Sequence, residues 1–219
     1  MSPGIIKFSV LSFVIVALIF TLIGILGSQQ EEAKRAAGIR NLKQWGIALN
    51  LYLIENDNQL PEVGKAPVTS EQKRAWFNVL PPYLSEPALA NLPAAQRPRP
   101  GIPSLWIRPD SKAVKIWDPE VFYFNYGMNE NLQPTAGARS FRIYELGFPS
   151  HIFFLLPTAD FAPSARPDNT VFSQDEQRNL GATVLFCDGH VETLLRSLVL
   201  DPVTFSSKTA GEGPSWYGN

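Results

Sequence analysis

The chain has 219 residues, 19 Lys and Arg against 20 Asp and Glu, a formal net charge of -1 and a pI near 6.1. The basic residues are scattered along it, so no electrostatic footprint for nucleic acid or another acidic surface is visible. A single cysteine excludes an internal disulfide, and one Cys with two His makes a tetrahedral structural zinc site hard to build.

Residues 5–27 (IIKFSVLSFVIVALIFTLIGILG) are almost unbroken apolar sequence with Lys7 as the only charge. At a rise of about 1.5 Å per residue they predict a helix of roughly 35 Å, enough to cross a bilayer. Val10, Phe13, Val16, Phe20 and Ile23 are the expected lipid-facing anchor residues. A cleaved signal peptide is the alternative, with Leu26-Gly27-Ser28 offering small residues for cleavage. Against it, the apolar run exceeds the usual signal core, and helical pattern continues past it. No proline occurs between Pro3 and Pro61 although the chain has 19, and an interior proline costs a helix about 3 kcal/mol. Lys34 and Arg35 favour the opposite orientation under the positive-inside rule, but the very short N-terminal flank bearing Lys7 and the larger C-terminal body predict a cytoplasmic N-terminus.

Residues 28–58 predict an amphipathic continuation of that helix. Glu31 can pair with Arg35, and an apolar stripe runs through Ile39, Leu42, Trp45, Leu49, Tyr52 and Leu53 at three- and four-residue steps. Leu42, Trp45, Leu49 and Leu53 are the expected packing face. Gly38 and Gly46 weaken a helix and fit a tight contact with a neighbour. Asp57-Asn58 and Pro61 end the pattern.

Residues 59–205, about 150 in all, suit one globular domain. The first part, to about residue 119, is proline-dense, with a helix expected over 71–80 behind Ser70 as N-cap and a turn over 88–95. RPRPGIP, residues 97–103, reads as extended or turn sequence. Strands are expected over 121–126 (VFYFNY), 152–156 (IFFLL), 183–187 (TVLFC) and 190–194 (HVETL). Asp188-Gly189 between the last two predicts a two-residue type I′ hairpin, with Phe186 opposite Val191, Val184 opposite Thr193, and Leu185, Cys187, His190 and Glu192 sharing the other face. A short helix over 195–200 and a loosely held tail over 206–219 complete the chain.

This order of parts resembles a type IV pilin or type II secretion pseudopilin. Four stretches resemble a large bacterial family of pilin-like proteins: NLKQWGIALNLYLIENDNQLPE (41–62), YGMNENL (126–132), PSHIFFLLPTAD (149–160) and RNLGATVLFCDGHVE (178–192). The family signature is a histidine, nine residues, then Asp-Gly. Here Arg178 holds the histidine position, followed by Asp188, Gly189 and His190. Prepilins usually carry Gly, then Phe, and Glu at the fifth mature position; this chain has Gly4, Ile5 and Ser9, and the string Phe20-Thr21-Leu22-Ile23-Gly24 has Ile19 and Gly24 where Gly and Glu would stand. The resemblance implies an α+β fold, a long N-terminal helix packed on a C-terminal antiparallel sheet. It further implies an inner-membrane protein with a periplasmic domain, no cofactor, and partners consisting of membrane lipid and other pilin-like subunits or a second copy.

Catalysis would have to draw on Cys187, Asp188, His190, Glu192, His151 or the Glu55-Asp57 pair. Cys187 and His190 flank the predicted turn, where a thiol and an imidazole could meet, yet no complete set of nucleophile, base and orienting group is evident. Glu55, Asp57 and Asn58 offer oxygen donors but match no calcium loop spacing. The aromatic run Phe122, Tyr123, Phe124 and Tyr126 reads more simply as core and cross-strand pairs than as a binding platform. The expectation is a non-enzymatic structural or assembly component of a pilus-like or secretion-like machine, and otherwise a tethered scaffold that does not polymerise.

Overall fold

The computed structural model describes residues 3–66, 68–69, 71–102, 104–111, 118, 121–133, 138–159, 161–171 and 181–199; along the first helix it describes side chains at Phe13, Val16 and from Leu18 onward. The chain divides into two units, Met1–Ala37 and Gly38–Asn219.

Helix α1 runs without interruption over Pro3–Glu55, 53 residues. In the first unit its described hydroxyls are satisfied on the helix itself: Thr21 Oγ1 donates to the Leu18 carbonyl and Ser28 Oγ to that of Ile25, both at 2.8 Å. Glu31 pairs with Lys34 one turn on (2.7 Å), not with Arg35 as its spacing allowed. The expected membrane anchor lies partly outside the described side chains. Among the described residues no stretch is long and apolar enough to cross a membrane.

In the second unit α1 is the spine of the core. Leu42, Trp45, Ala48, Leu49, Tyr52 and Leu53 are buried, and Trp45 meets Trp76 and Trp106 edge to face with ring centroids 5.3 and 6.1 Å apart. The helix stops at Glu55 because Asp57 and Asn58 both take left-handed backbone (φ 52° and 59°), and Asn58 N–H donates back to the Leu53 carbonyl at 2.9 Å.

The segment after α1 differs from its sequence pattern. The helix expected over 71–80 shrinks to one turn, α2, Trp76–Val79. Glu62 accounts for the loss: its N–H donates to Arg74 O and its carbonyl accepts from Trp76 N–H, both at 2.9 Å, so residues 74–76 bond to a neighbouring chain segment instead of closing a helical ladder. Single 3₁₀ turns follow at Pro81–Leu84, Leu89–Asn91 and Ala94–Gln96. The expected strand over 121–126 is not one. Asn125 hydrogen-bonds to Trp106 and Thr158, and only Tyr126 enters a strand, so the aromatic run contributes rings to the core, with Phe124 against Trp76 and Phe77.

Five strands form one sheet in the order β3-β1-β2-β4-β5, comprising β1 Tyr126–Asn129, β2 Phe153–Pro157, β3 Ser164–Ala165, β4 Ala182–Phe186 and β5 Val191–Leu194. The predicted all-antiparallel sheet is corrected at one edge. The chain reverses after β2, whose far edge is taken by β4, and β3 settles on the open edge of β1 in parallel. That contact needs Gly127, where an added methyl would lie 2.6 Å from the Ser164 carbonyl carbon. One face of the sheet meets α1. The other carries a smaller cluster of Phe153, Leu156, Ala165, Ala182, Val184, Phe186, Leu194 and Val199, the last from the short helix α3, Arg196–Val199. Residues of the expected tail lie outside the described ones.

Candidate functional site

The Asp-Gly hairpin folds in a register one residue from the predicted one. Leu185 faces Val191 and Val184 faces Glu192, while Phe186 N–H donates to His190 O (2.9 Å) and Gly189 N–H to Phe186 O (3.0 Å). Only Gly189 of the turn has positive φ, 90°, so Asp188 does not adopt the backbone that a type I′ turn demands of both central residues. The result is a three-residue loop of Cys187, Asp188 and Gly189, a turn followed by a glycine bulge. The shift places Leu185, Cys187 and Val191 on the α1 side and Phe186 and His190 on the other.

This loop is seated on α1. A methyl at Gly46 would come within 2.5 Å of the Gly189 carbonyl oxygen, and one at Gly189 within 2.5 Å of Asn50 Nδ2. Gly46 is therefore a close-approach glycine, and the Asp-Gly turn locks the sheet to the helix through backbone contact that no side chain could make.

On the far side His190 stacks on the Phe186 ring (centroids 4.1 Å, planes 9° apart), with its Nδ1 2.6 Å from Asp188 Oδ1 and its N–H donating to the same oxygen at 3.1 Å. Asp188 thereby holds both the turn and the imidazole. Cys187 is fully buried, its Sγ 3.8 Å from the Phe153 carbonyl, and burial first and Asp188 second push the thiol well above its ordinary pKa. The thiol and the imidazole lie on opposite sides of the hairpin, so the pairing that nucleophilic catalysis would need is not formed. His151 stacks on Phe148 instead (5.7 Å).

At the end of α1 Glu55 accepts a hydrogen bond from the Tyr83 hydroxyl (2.7 Å). Among the described residues no three or more His, Cys, Asp or Glu side chains come together as a metal site. Arg178, which holds the family's histidine position, lies outside the described residues, as do the side chain of Val10 and the tail aromatics.

The two sets of α1 residues singled out from sequence have opposite surroundings. Phe13, Val16, Phe20 and Ile23 are exposed, Phe13 at 76% and Phe20 at 70%, whereas Leu42, Trp45, Leu49 and Leu53 are buried. Sequence reading overlooked a second stripe: Ile47, Leu51 and Ile54 are exposed on the opposite side of the packed part of α1, and their spacing of four and three was legible. No protein-family model, characterised protein or solved structure matches the chain.

Proposed function

We propose that the chain is a non-enzymatic, single-pass membrane protein, cytoplasmic at its N-terminus and carrying a pilin-like α+β domain in the periplasm, that serves as a structural or assembly component of a type IV pilus-like or type II secretion-like machine. The observation that carries this reading is the division of labour along α1. One continuous helix supplies the spine of a domain core through Leu42, Trp45, Leu49 and Leu53, and on the same helix Phe13, Val16, Phe20 and Ile23 present apolar side chains with no cover. Apolar side chains left uncovered over several turns favour lipid or other helices over water. Further support comes from the four family-like stretches, three of which build the core: α1 from Asn41, the strand from Tyr126 and the hairpin that ends in Asp-Gly.

Site-directed crosslinking in intact membranes tests it, using single cysteines placed between positions 10 and 26. Self-crosslinks in this stretch, together with retention of the chain after alkaline washing, are expected. Release of the chain by that wash overturns the anchored reading.

The second reading is a tethered periplasmic scaffold that does not polymerise. Ser9 and Gly24 favour it, because each stands where a prepilin would carry the glutamate used in assembly, and an unpaired carboxylate in hydrocarbon would be costly for a lone anchor. Crosslinks only to a foreign protein, with none between copies, select this second reading.

A further inference from the structure

The net charge of -1 conceals a segregation that appears only after folding. In the second unit the start of α1, residues 38–46, carries Arg40 and Lys43 and no acid. Residues 97–110 carry Arg97, Arg99 and Arg108, with Asp110 as their one acid, bonded to Arg108. These stretches are about 60 residues apart in sequence, yet Asn41 Nδ2 donates to Ser104 O at 2.8 Å and Trp45 Nε1 to Leu105 O at 3.1 Å. A methyl on Gly38 would sit 3.9 Å from the Pro109 ring.

The tip of this loop is shaped as well as charged. Ile102 N–H closes a turn onto Arg99 O at 3.0 Å, with Pro100 and Gly101 at its centre and Gly101 at φ 81°, the combination a type II turn requires. That turn holds Ile102 outward at 56% exposure. Beside it the Arg97 guanidinium lies 4.3 Å over the Phe122 ring, next to the exposed Val121.

We infer that this basic face of the second unit docks on an anionic phospholipid surface, with Ile102 and Val121 reaching into the headgroup layer. The inference rests on the membrane-anchored reading above and adds a second contact with the same bilayer. Charge complementarity selects the occupant: basic side chains close to an anionic leaflet each strengthen association about 5-fold, an attraction confined to roughly a Debye length. Protruding aliphatic side chains among the cations suit the interfacial layer. Nucleic acid fits less well, because Trp106 is buried and Arg97 already covers Phe122, leaving the face without a free ring on which a base could stack.

The test uses the full-length chain, reconstituted into vesicles, with an environment-sensitive fluorophore on Val121→Cys in a Cys187→Ala background. Headgroup-labelled quencher lipid is expected to quench the probe in vesicles containing anionic phospholipid, much less in purely zwitterionic ones, and to lose its effect at about 0.5 M salt. Replacing Arg40, Lys43 and Arg99 by Gln together is expected to weaken this docking on the order of 100-fold. Lys65→Gln with Lys73→Gln, elsewhere on the unit, is expected to leave it unchanged. Ile102→Ser is expected to reduce quenching while preserving its salt dependence. Equal quenching in both lipid compositions, or a response to duplex DNA with none to anionic vesicles, overturns the inference. Retention after an alkaline wash in zwitterionic vesicles reports the anchor alone. Loss of that retention with salt-sensitive quenching intact would therefore sink the anchored reading and leave the docking face standing.

Discussion

Two stretches of α1 with similar composition meet opposite fates. Around residues 13–26 the described large side chains are exposed, and between 42 and 53 the helix offers its stripe to the sheet and to Trp76 and Trp106, where it is buried. Hydrophobicity is comparable; the partner is not. An apolar stripe creates a demand for cover, while the identity of the cover depends on what the rest of the chain places opposite. Ile47, Leu51 and Ile54 sharpen the point, since they share turns with the buried stripe and remain exposed.

The largest effect that could break this contrast comes from truncating one aromatic in each stretch. Trp45→Ala is expected to destabilise the second unit by about 3–5 kcal/mol through lost burial and the cavity left among three tryptophans. Phe20→Ala is expected to change it by no more than about 0.5 kcal/mol. Denaturant unfolding of the full chain in detergent, followed by tryptophan fluorescence, reads both, and equal losses would mean that the exposed stretch is structurally part of the domain.

Next in size is the contact between the helix and the turn. Gly46→Ala is expected to cost about 1–3 kcal/mol, because its methyl would meet the Gly189 carbonyl oxygen and neither backbone can yield cheaply. Leu51→Ala, a few residues further on, is expected to stay within about 0.5 kcal/mol. A tolerated Gly46→Ala would show that the hairpin is not locked to α1.

Cys187 contributes a smaller, pH-dependent term. Its folded pKa is raised by burial, so the stability it confers is intact below the unfolded thiol pKa of about 8.5 and is lost as pH climbs toward the higher folded value. Cys187→Ala is expected to flatten the alkaline limb of a stability profile, and the native thiol to react with a maleimide at pH 8 far more slowly than in denaturant. Prompt labelling of the folded chain would contradict its placement under the sheet.

The smallest effect concerns Glu145. It accepts hydrogen bonds from Arg142 N–H and Arg139 Nη2, both at 2.7 Å, and these hold its carboxyl below the usual range. Its contribution is present above the unfolded pKa of about 4.3 and disappears as pH falls through the lower folded value. Glu145→Gln should slightly shallow the acid limb of the same profile, and a change in its alkaline limb would be inconsistent with this origin.

Sequence alone determined the features that depend on nearest neighbours. The absence of proline from 4 to 60, the stripe from Leu42 to Leu53, the cores of β2, β4 and β5, and the stop after Glu55 were all legible, since helical periodicity and turn chemistry are local. Tertiary structure decided the rest. Glu62 claimed the backbone of residues 74–76 and cut a helix to one turn, an aromatic run became ring packing instead of a strand, and β3 joined β1 in parallel because that edge was open. The hairpin register moved by one residue because a single glycine, not two residues, took the positive-φ position against α1. Scattered cations became one basic face only when residues 97–110 folded against the start of α1. Each of these outcomes turns on a contact between distant parts of the chain, and the energy of such a contact is written in neither segment by itself.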